Sequence, residues 1–190
     1  MALFDNMPVI ETDDLILRRL EASDAPAILE LKNDPVARRY LPTFLLEFQY
    51  EDPKEAIRAM YDEAFPKKEG LFLAICPRAE EGAMVGVAEL YSYKPQRHKV
   101  SIGYRLNRRF WGKGYGKLTV QVLKAYLFEQ TEITCLSAHA IGDNKASCRI
   151  LEGAGFYRRK QGVMEDWGLP EEVSVNKYVL NKNGIHLPHV

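Results

Sequence analysis

The chain has 190 residues, 46% of them hydrophobic, with 26 basic residues balanced by 26 acidic ones. Zero net charge gives no electrostatic case for a nucleic-acid or membrane-surface partner, and no apolar run approaches the roughly 18 residues of a membrane span. Three scattered cysteines, Cys76, Cys135 and Cys148, fit neither a disulfide nor a zinc framework and read as reduced thiols of a cytoplasmic protein. The start, MALFDNMPVIETDD, lacks the basic and apolar regions of a signal peptide, and the length suits one domain over 1–190.

In chain order, Leu15 to Leu20 reads as a short strand. Glu21 to Asp24 starts a helix with Ser23 as its N-cap; it buries Ala27, Ile28 and Leu31 and ends near Asn33-Asp34-Pro35. Leu41 to Phe48 has no clean period. A second helix runs from about Pro53 to Phe65, with Asp52 as N-cap and Glu55 closing a capping box. Ile57, Met60, Tyr61 and Ala64 form its apolar stripe. Leu71 to Ile75 and Met84 to Tyr93 read as hairpin strands joined by the polar loop Pro77 to Ala83.

The next strand alternates: Val100, Ile102, Tyr104 and Leu106 point one way, Ser101, Gly103 and Arg105 the other. Trp111-Gly112-Lys113-Gly114-Tyr115-Gly116-Lys117 follows, and then a helical period sets in through Leu118, Val122 and Tyr126. Ile133 to Ala140 is another strand, and Gly142-Asp143-Asn144 opens a helix that ends at Gly153 or Gly155. Phe156 to Trp167 and Val173 to Leu180 close the chain. The order predicts an α+β fold with one mixed, mostly antiparallel sheet, about four flanking helices and a single parallel crossover between Val100 and Ala140.

A strand, a glycine-rich turn and a helix together make an anion site. Glycines allow close approach to a ligand, the first helical N–H groups lack internal partners, and Lys113 and Lys117 add charge. A phosphate or pyrophosphate is the natural occupant; otherwise the glycines only permit a bend. The ATP loop G-x-x-x-x-G-K-[ST] fails because Leu118 follows Gly116-Lys117. The dinucleotide fingerprint fails because Lys117 takes its third glycine position.

IGYRL followed by WGKGYG resembles motif A, [Q/R]-x-x-G-x-[G/A], of the GNAT superfamily of acyl-CoA-dependent N-acetyltransferases, with Trp111, Gly114 and Gly116 at the defined positions. Trp at the first position, the segment Asn144 to Phe156, and Thr12, Leu15, Leu17 and Arg18 resemble the RimJ/RimL-like branch, which acetylates protein N-termini and assorted amines. The resemblance implies the acyl-CoA N-acyltransferase fold, with its sheet splayed at the motif A strand. It also implies acetyl-CoA as co-substrate, no metal, and direct transfer to a primary amine, either a peptide N-terminus or a small molecule, in a ternary complex.

By that resemblance the loop Trp111, Gly112, Lys113, Gly114, Tyr115, Gly116 and Lys117 holds the pyrophosphate. The backbone of Ile102, Gly103, Tyr104, Arg105 and Leu106 pairs with the pantetheine arm, and an N–H near Tyr104 faces the thioester oxygen. Gly103 either allows a bulge and the close approach or is a kink in a core strand. Many family members protonate the leaving thiolate with a tyrosine, but Leu151 stands at that position. Ser147 takes the role of donor or relay, or else bonds the backbone as a helix-start serine. Asn144 bonds the pantetheine, caps the helix, or does both.

The carboxylate that serves some branch members as base is replaced by Ser101, which leaves Glu89, in an apolar strand, as the candidate base unless it faces solvent. An α-amine near pKa ~8 needs less help than a lysine near ~10.4. His139 reads as a strand residue near the cofactor, and His98, His186 and His189 as surface positions. Cys148 has no visible His partner for an acetyl-enzyme route. Tyr40, Phe44, Phe48, Tyr61, Tyr91 and Tyr93 form an expected aromatic rim for the acceptor, although Leu41 to Phe48 equally suits a dimer contact, so monomer and homodimer both stand. Two rival functions remain: a polyamine or antibiotic acetyltransferase, and an acyl-CoA-binding sensor or partner domain that has lost turnover, for which Leu151 and Ser101 argue.

Overall fold

A computed structural model describes residues 2–184; His186 and His189 lie outside the described residues. The short strand β1 (Ile10–Glu11) pairs with β2 (Leu15–Arg18), and four helical segments follow: α1 (Ala25–Asn33), α2 (Pro35–Arg38), α3 (Leu46–Gln49) and α4 (Pro53–Ala59), the last continuing as a wider turn over Met60–Ala64. Strands β3 (Gly70–Pro77), β4 (Gly86–Lys94) and β5 (Lys99–Leu106) lead into α5 (Tyr115–Gln130). β6 (Cys135–Ile141), α6 (Lys145–Gly153), β7 (Tyr157–Glu165) and β8 (Val173–Asn181) complete the order. Among the described residues eight strands form one sheet in the order β1-β2-β3-β4-β5-β6-β8-β7. Neighbours are antiparallel except β5 and β6, so the single parallel crossover falls where the sequence placed it.

β3 is buried at every residue because both faces of the sheet are covered there. Leu71, Leu73 and Ile75 face one layer with Val120, Leu123 and Leu127 of α5. Phe72, Ala74 and Cys76 face the other, with Ile28, Ile57 and Met60. Two-sided cover explains why this strand reads as a continuous apolar run.

Local signals held in part. Asp52 Oδ1 accepts from the Lys54 N–H at 2.8 Å, and Asn144 Oδ1 accepts from the Ser147 N–H at 3.1 Å, so both cap as their positions suggest. Ser23 does not cap α1. A 3-10 turn over Ala22–Asp24 precedes that helix, and Asp24 accepts from the Glu21 N–H and from both terminal nitrogens of Arg18. A carboxylate answers Arg18 as a hydroxyl cannot.

The β5–β6 ladder is only three residues long: Lys99, Val100 and Ser101 pair with Cys135, Leu136 and Ser137. The buried hydroxyls of Ser101 and Ser137 meet at 2.8 Å at its end. Beyond them β6 stays with β8 as far as Ile141, while β5 stays with β4 as far as Leu106. The splay therefore lies at the motif A strand, but Gly103 does not create it. Gly103 pairs regularly with Glu89, and the irregularity in that ladder falls between Tyr91 and Lys94, where Ser92 has φ +51°. Truncating Leu73, fully buried at the sheet centre, to alanine is expected to cost about 2–5 kcal/mol of stability. Urea unfolding should register this as a lower midpoint at unchanged slope.

Candidate active site

Two cavities open at the splay. The larger, about 740 Å³, is lined by the glycine turn, the start of α5 and the start of α6. The smaller, about 230 Å³, lies between β5 and β6 and is walled on the outside by the segment from Tyr40 to Leu45. Tyr104, Arg105, Asn144 and Ser147 line both.

The three glycines of the turn have different duties. Gly112 (φ +78°) and Gly114 (φ +86°) hold left-handed backbone that a side chain would strain. Gly116 instead makes room: a Cβ there would sit 2.7 Å from the Tyr104 ring. The Trp111 indole donates to the Leu106 carbonyl at 2.9 Å and ties the turn to the end of β5. Lys117 faces the larger cavity. The Lys113 side chain does not, because it pairs with Glu80 at 2.7 Å, and the Tyr115 hydroxyl donates to the same oxygen. Those two hydrogen bonds hold Glu80 below the ordinary carboxylate range.

At the junction, burial pushes the Tyr104 phenol up, and a hydrogen bond with the Ser147 side chain opposes that shift. Ile102 and Gly103 line only the smaller cavity, together with Leu151. Ser101 is bonded to Ser137 and brings no carboxylate to the site.

Glu89 faces the smaller cavity and accepts from Arg105 Nη1 at 2.8 Å. Burial raises its pKa, and Arg105 acts against that rise. Arg105 also donates through Nε and Nη2 to Glu47 of α3, a carboxylate with no exposed surface. Across the cavity, burial lowers the pKa of His139, whose Nδ1 lies 4.0 Å from Glu165. Burial also acts to raise Glu165, but hydrogen bonds from Lys177 and Trp167 outweigh it and hold that carboxyl low.

Of the expected rim, Tyr40, Phe44 and Tyr91 line the smaller cavity, with Phe44 62% exposed at its mouth. Tyr61 does not. It lies in the core layer beneath the sheet, where its hydroxyl accepts from the Leu20 N–H at 2.6 Å and donates to the Phe72 carbonyl at 3.1 Å. Tyr93 packs on Phe4 and donates to Glu132, and Phe48 lies under Arg38, so neither reaches the cavity. Cys148 is buried, with the Asn176 amide donating to its sulfur at 3.8 Å. Sequence reasoning missed Glu47, Glu165 and Trp167. For Glu47 the signal was a carboxylate set between Leu46 and Phe48 in a stretch without period.

A family model described as an acetyltransferase (GNAT) domain matches residues 14–157. The uncharacterized N-acetyltransferase YoaA of Bacillus subtilis is 28% identical over 178 residues, covering 90% of this chain and 97% of that protein. Two solved structures share the fold. RimL, a ribosomal L7/L12 alpha-N-protein acetyltransferase in complex with coenzyme A, matches with TM-score 0.78 at 18% identity, over 94% of this chain and all of that one. The spermidine N-acetyltransferase from Vibrio cholerae, in complex with CoA and spermine, matches with TM-score 0.75 at 17% identity, over 91% of this chain and 98% of its own. Among the described residues no helix is long and apolar enough to cross a membrane.

The placement of Tyr61 is open to a direct check. Tyr61→Phe leaves the buried Leu20 N–H without its acceptor and should cost about 1–3 kcal/mol in thermal or urea unfolding, with neither cavity altered.

Proposed function

This chain belongs to the GNAT acetyltransferase family, and on that premise we propose that it transfers the acetyl group of acetyl-CoA to a primary amine, by direct attack in a ternary complex. We place it in the RimJ/RimL-like branch, in the cytoplasm, with a peptide N-terminus or a small amine as acceptor. One observation carries the reading: a glycine turn at a helix N-terminus and a carboxylate-bearing aromatic cavity meet at Tyr104 and Ser147, beside a strand edge freed from its neighbour.

The residues present suit the co-substrate. The freed edge of β5 offers unpaired backbone to the pantetheine arm, and the turn from Gly112 to Lys117 with the α5 N-terminus suits its pyrophosphate. Acetyl-CoA supplies an acetyl group already activated as a thioester. Glu89 takes a proton from the entering ammonium, so that the amine nitrogen can bond to the acetyl carbon as the carbon–sulfur bond breaks. The backbone N–H near Tyr104 donates to the oxygen that gains charge; the bonded nitrogen sheds its second proton to water, and Ser147 relays a proton from water to the departing thiolate, its own hydroxyl restored in the same step. Leu151, which lines the cavity where a tyrosine donor is common in the family, favours a second reading: an acyl-CoA-binding domain without turnover.

Calorimetric titration with acetyl-CoA, followed by thiol release over peptides, polyamines and amino acids, separates the two. The proposal expects binding and turnover; binding with no turnover on any amine supports the second reading, and no binding refutes both. Val at both Gly114 and Gly116 should abolish coenzyme binding in a variant that still melts cooperatively, and unchanged affinity would remove the pyrophosphate assignment. Glu89→Gln should lower kcat by about 10²–10⁴-fold, the range of general-base catalysis.

A further inference from the structure

Arg105 is buried between carboxylates from two different elements. Two of its nitrogens, Nε and Nη2, donate to Glu47, the second at 2.8 Å, while Nη1 alone donates to Glu89, also at 2.8 Å. The Glu47 and Arg105 side chains are 0% and 4% exposed, whereas Glu89 retains 14% and lines the acceptor-side cavity. A forked guanidinium binds most strongly where it engages a carboxylate through two parallel N–H groups, and here that partner is Glu47. One positive charge against two negative ones leaves a net negative charge beside the cavity, where low dielectric strengthens every interaction. An Arg105 committed wholly to Glu89 would lock that carboxylate as an ion pair and make it a poor proton acceptor.

We infer that Glu47 is a positioning residue for acetyl transfer: by engaging Arg105 through two of its nitrogens it leaves Glu89 a carboxylate able to take the amine's proton. The inference rests on the acetyl-transfer reading with Glu89 as base. Glu47 also sits two residues after the segment Tyr40 to Leu45, so the same pair fastens the outer wall of the acceptor cavity to β5. The other titratable groups around Glu89 are Tyr104 on β5, Tyr91 on its own strand, Tyr40, His139 on β6 and Glu165 on β7. None of these donates to Glu89; Arg105 is its hydrogen-bonding cation, and Glu47 works against the pull of that cation.

The test compares wild type, Glu47→Gln and Glu89→Gln in the full chain. The Glu89 carboxyl is titrated by carbon-13 NMR, its signal assigned by its loss in Glu89→Gln, and kcat/KM is followed against pH. Glu47→Gln should lower the Glu89 midpoint by about one unit, because Arg105 then faces Glu89 alone, and the acid limb of kcat/KM should move down with it. Glu47→Asp, which keeps the charge, should restore most of both. A Glu89 midpoint and acid limb unmoved in Glu47→Gln, with kcat/KM merely reduced, would overturn the inference and leave Glu47 a structural residue. If Glu47→Gln does not fold, the wild-type titration decides: Glu89 must titrate above the ordinary value of about 4.3, and a midpoint at or below it overturns the inference. Full turnover by Glu89→Gln would instead refute the base assignment, and the inference with it.

Discussion

The early end of the β5–β6 ladder is the constraint on which the rest of the site depends. Parallel strands need a crossover helix, and here α5 supplies it, packing Val120, Leu123 and Leu127 against the central strands. Three ladder pairs suffice to fix the relative position of the two strands, and the buried hydroxyls of Ser101 and Ser137 close the last of them. Past that point each strand keeps its outer neighbour and leaves the other. The gap opens at the carboxyl end of β5, where the turn into α5 brings helix N–H groups toward the same space, as ligand sites of crossover folds commonly do. Cavity and strand edge are thus consequences of one short pairing, and the glycine turn opens onto both.

Charge inside the splay is arranged against the neutral background of the whole chain. Arg105 carries two carboxylates, Lys177 and Trp167 hold Glu165, and burial disfavours protonation of His139. At the turn, Glu80 claims both Lys113 and Tyr115, which leaves Lys117 as the turn's cation facing the larger cavity. Because burial magnifies each unpaired charge, these pairings decide which group can exchange a proton and which is fixed.

Where the structure departs from the sequence reading, contacts between elements decide. Periodicity tells which residues of a helix are buried, not which layer receives them. Tyr61 lies on the apolar stripe as expected, yet that stripe faces Phe72 and Leu20 instead of the cavity. Ser23 suited a cap by type, but Arg18 lay within reach of Asp24 once β2 and the turn were in place. Gly103 suited a bulge, but a Cβ there would meet only the Tyr91 ring, at 3.5 Å, and the ladder stays regular. Lys113 suited a phosphate, but its partner came from a hairpin loop 33 residues upstream.

What the sequence determined by itself was local and ordered. The alternation of Val100 to Leu106, the glycines at 112 and 114, the helical period after them and the Asn144 cap all rest on interactions within a few residues, so they could be read along the chain. That the turn, the strand edge and Ser147 belong to one site came from the family resemblance of the two motif-bearing segments and not from those local interactions. The tertiary structure alone decided the electrostatics. Arg105 meets Glu89 from a position 16 residues away and Glu47 from 58 residues away, through strand register in one case and the docking of a short helix in the other. Neither distance leaves a period in the sequence, because an ion pair between elements depends on where each element packs and not on the spacing along the chain.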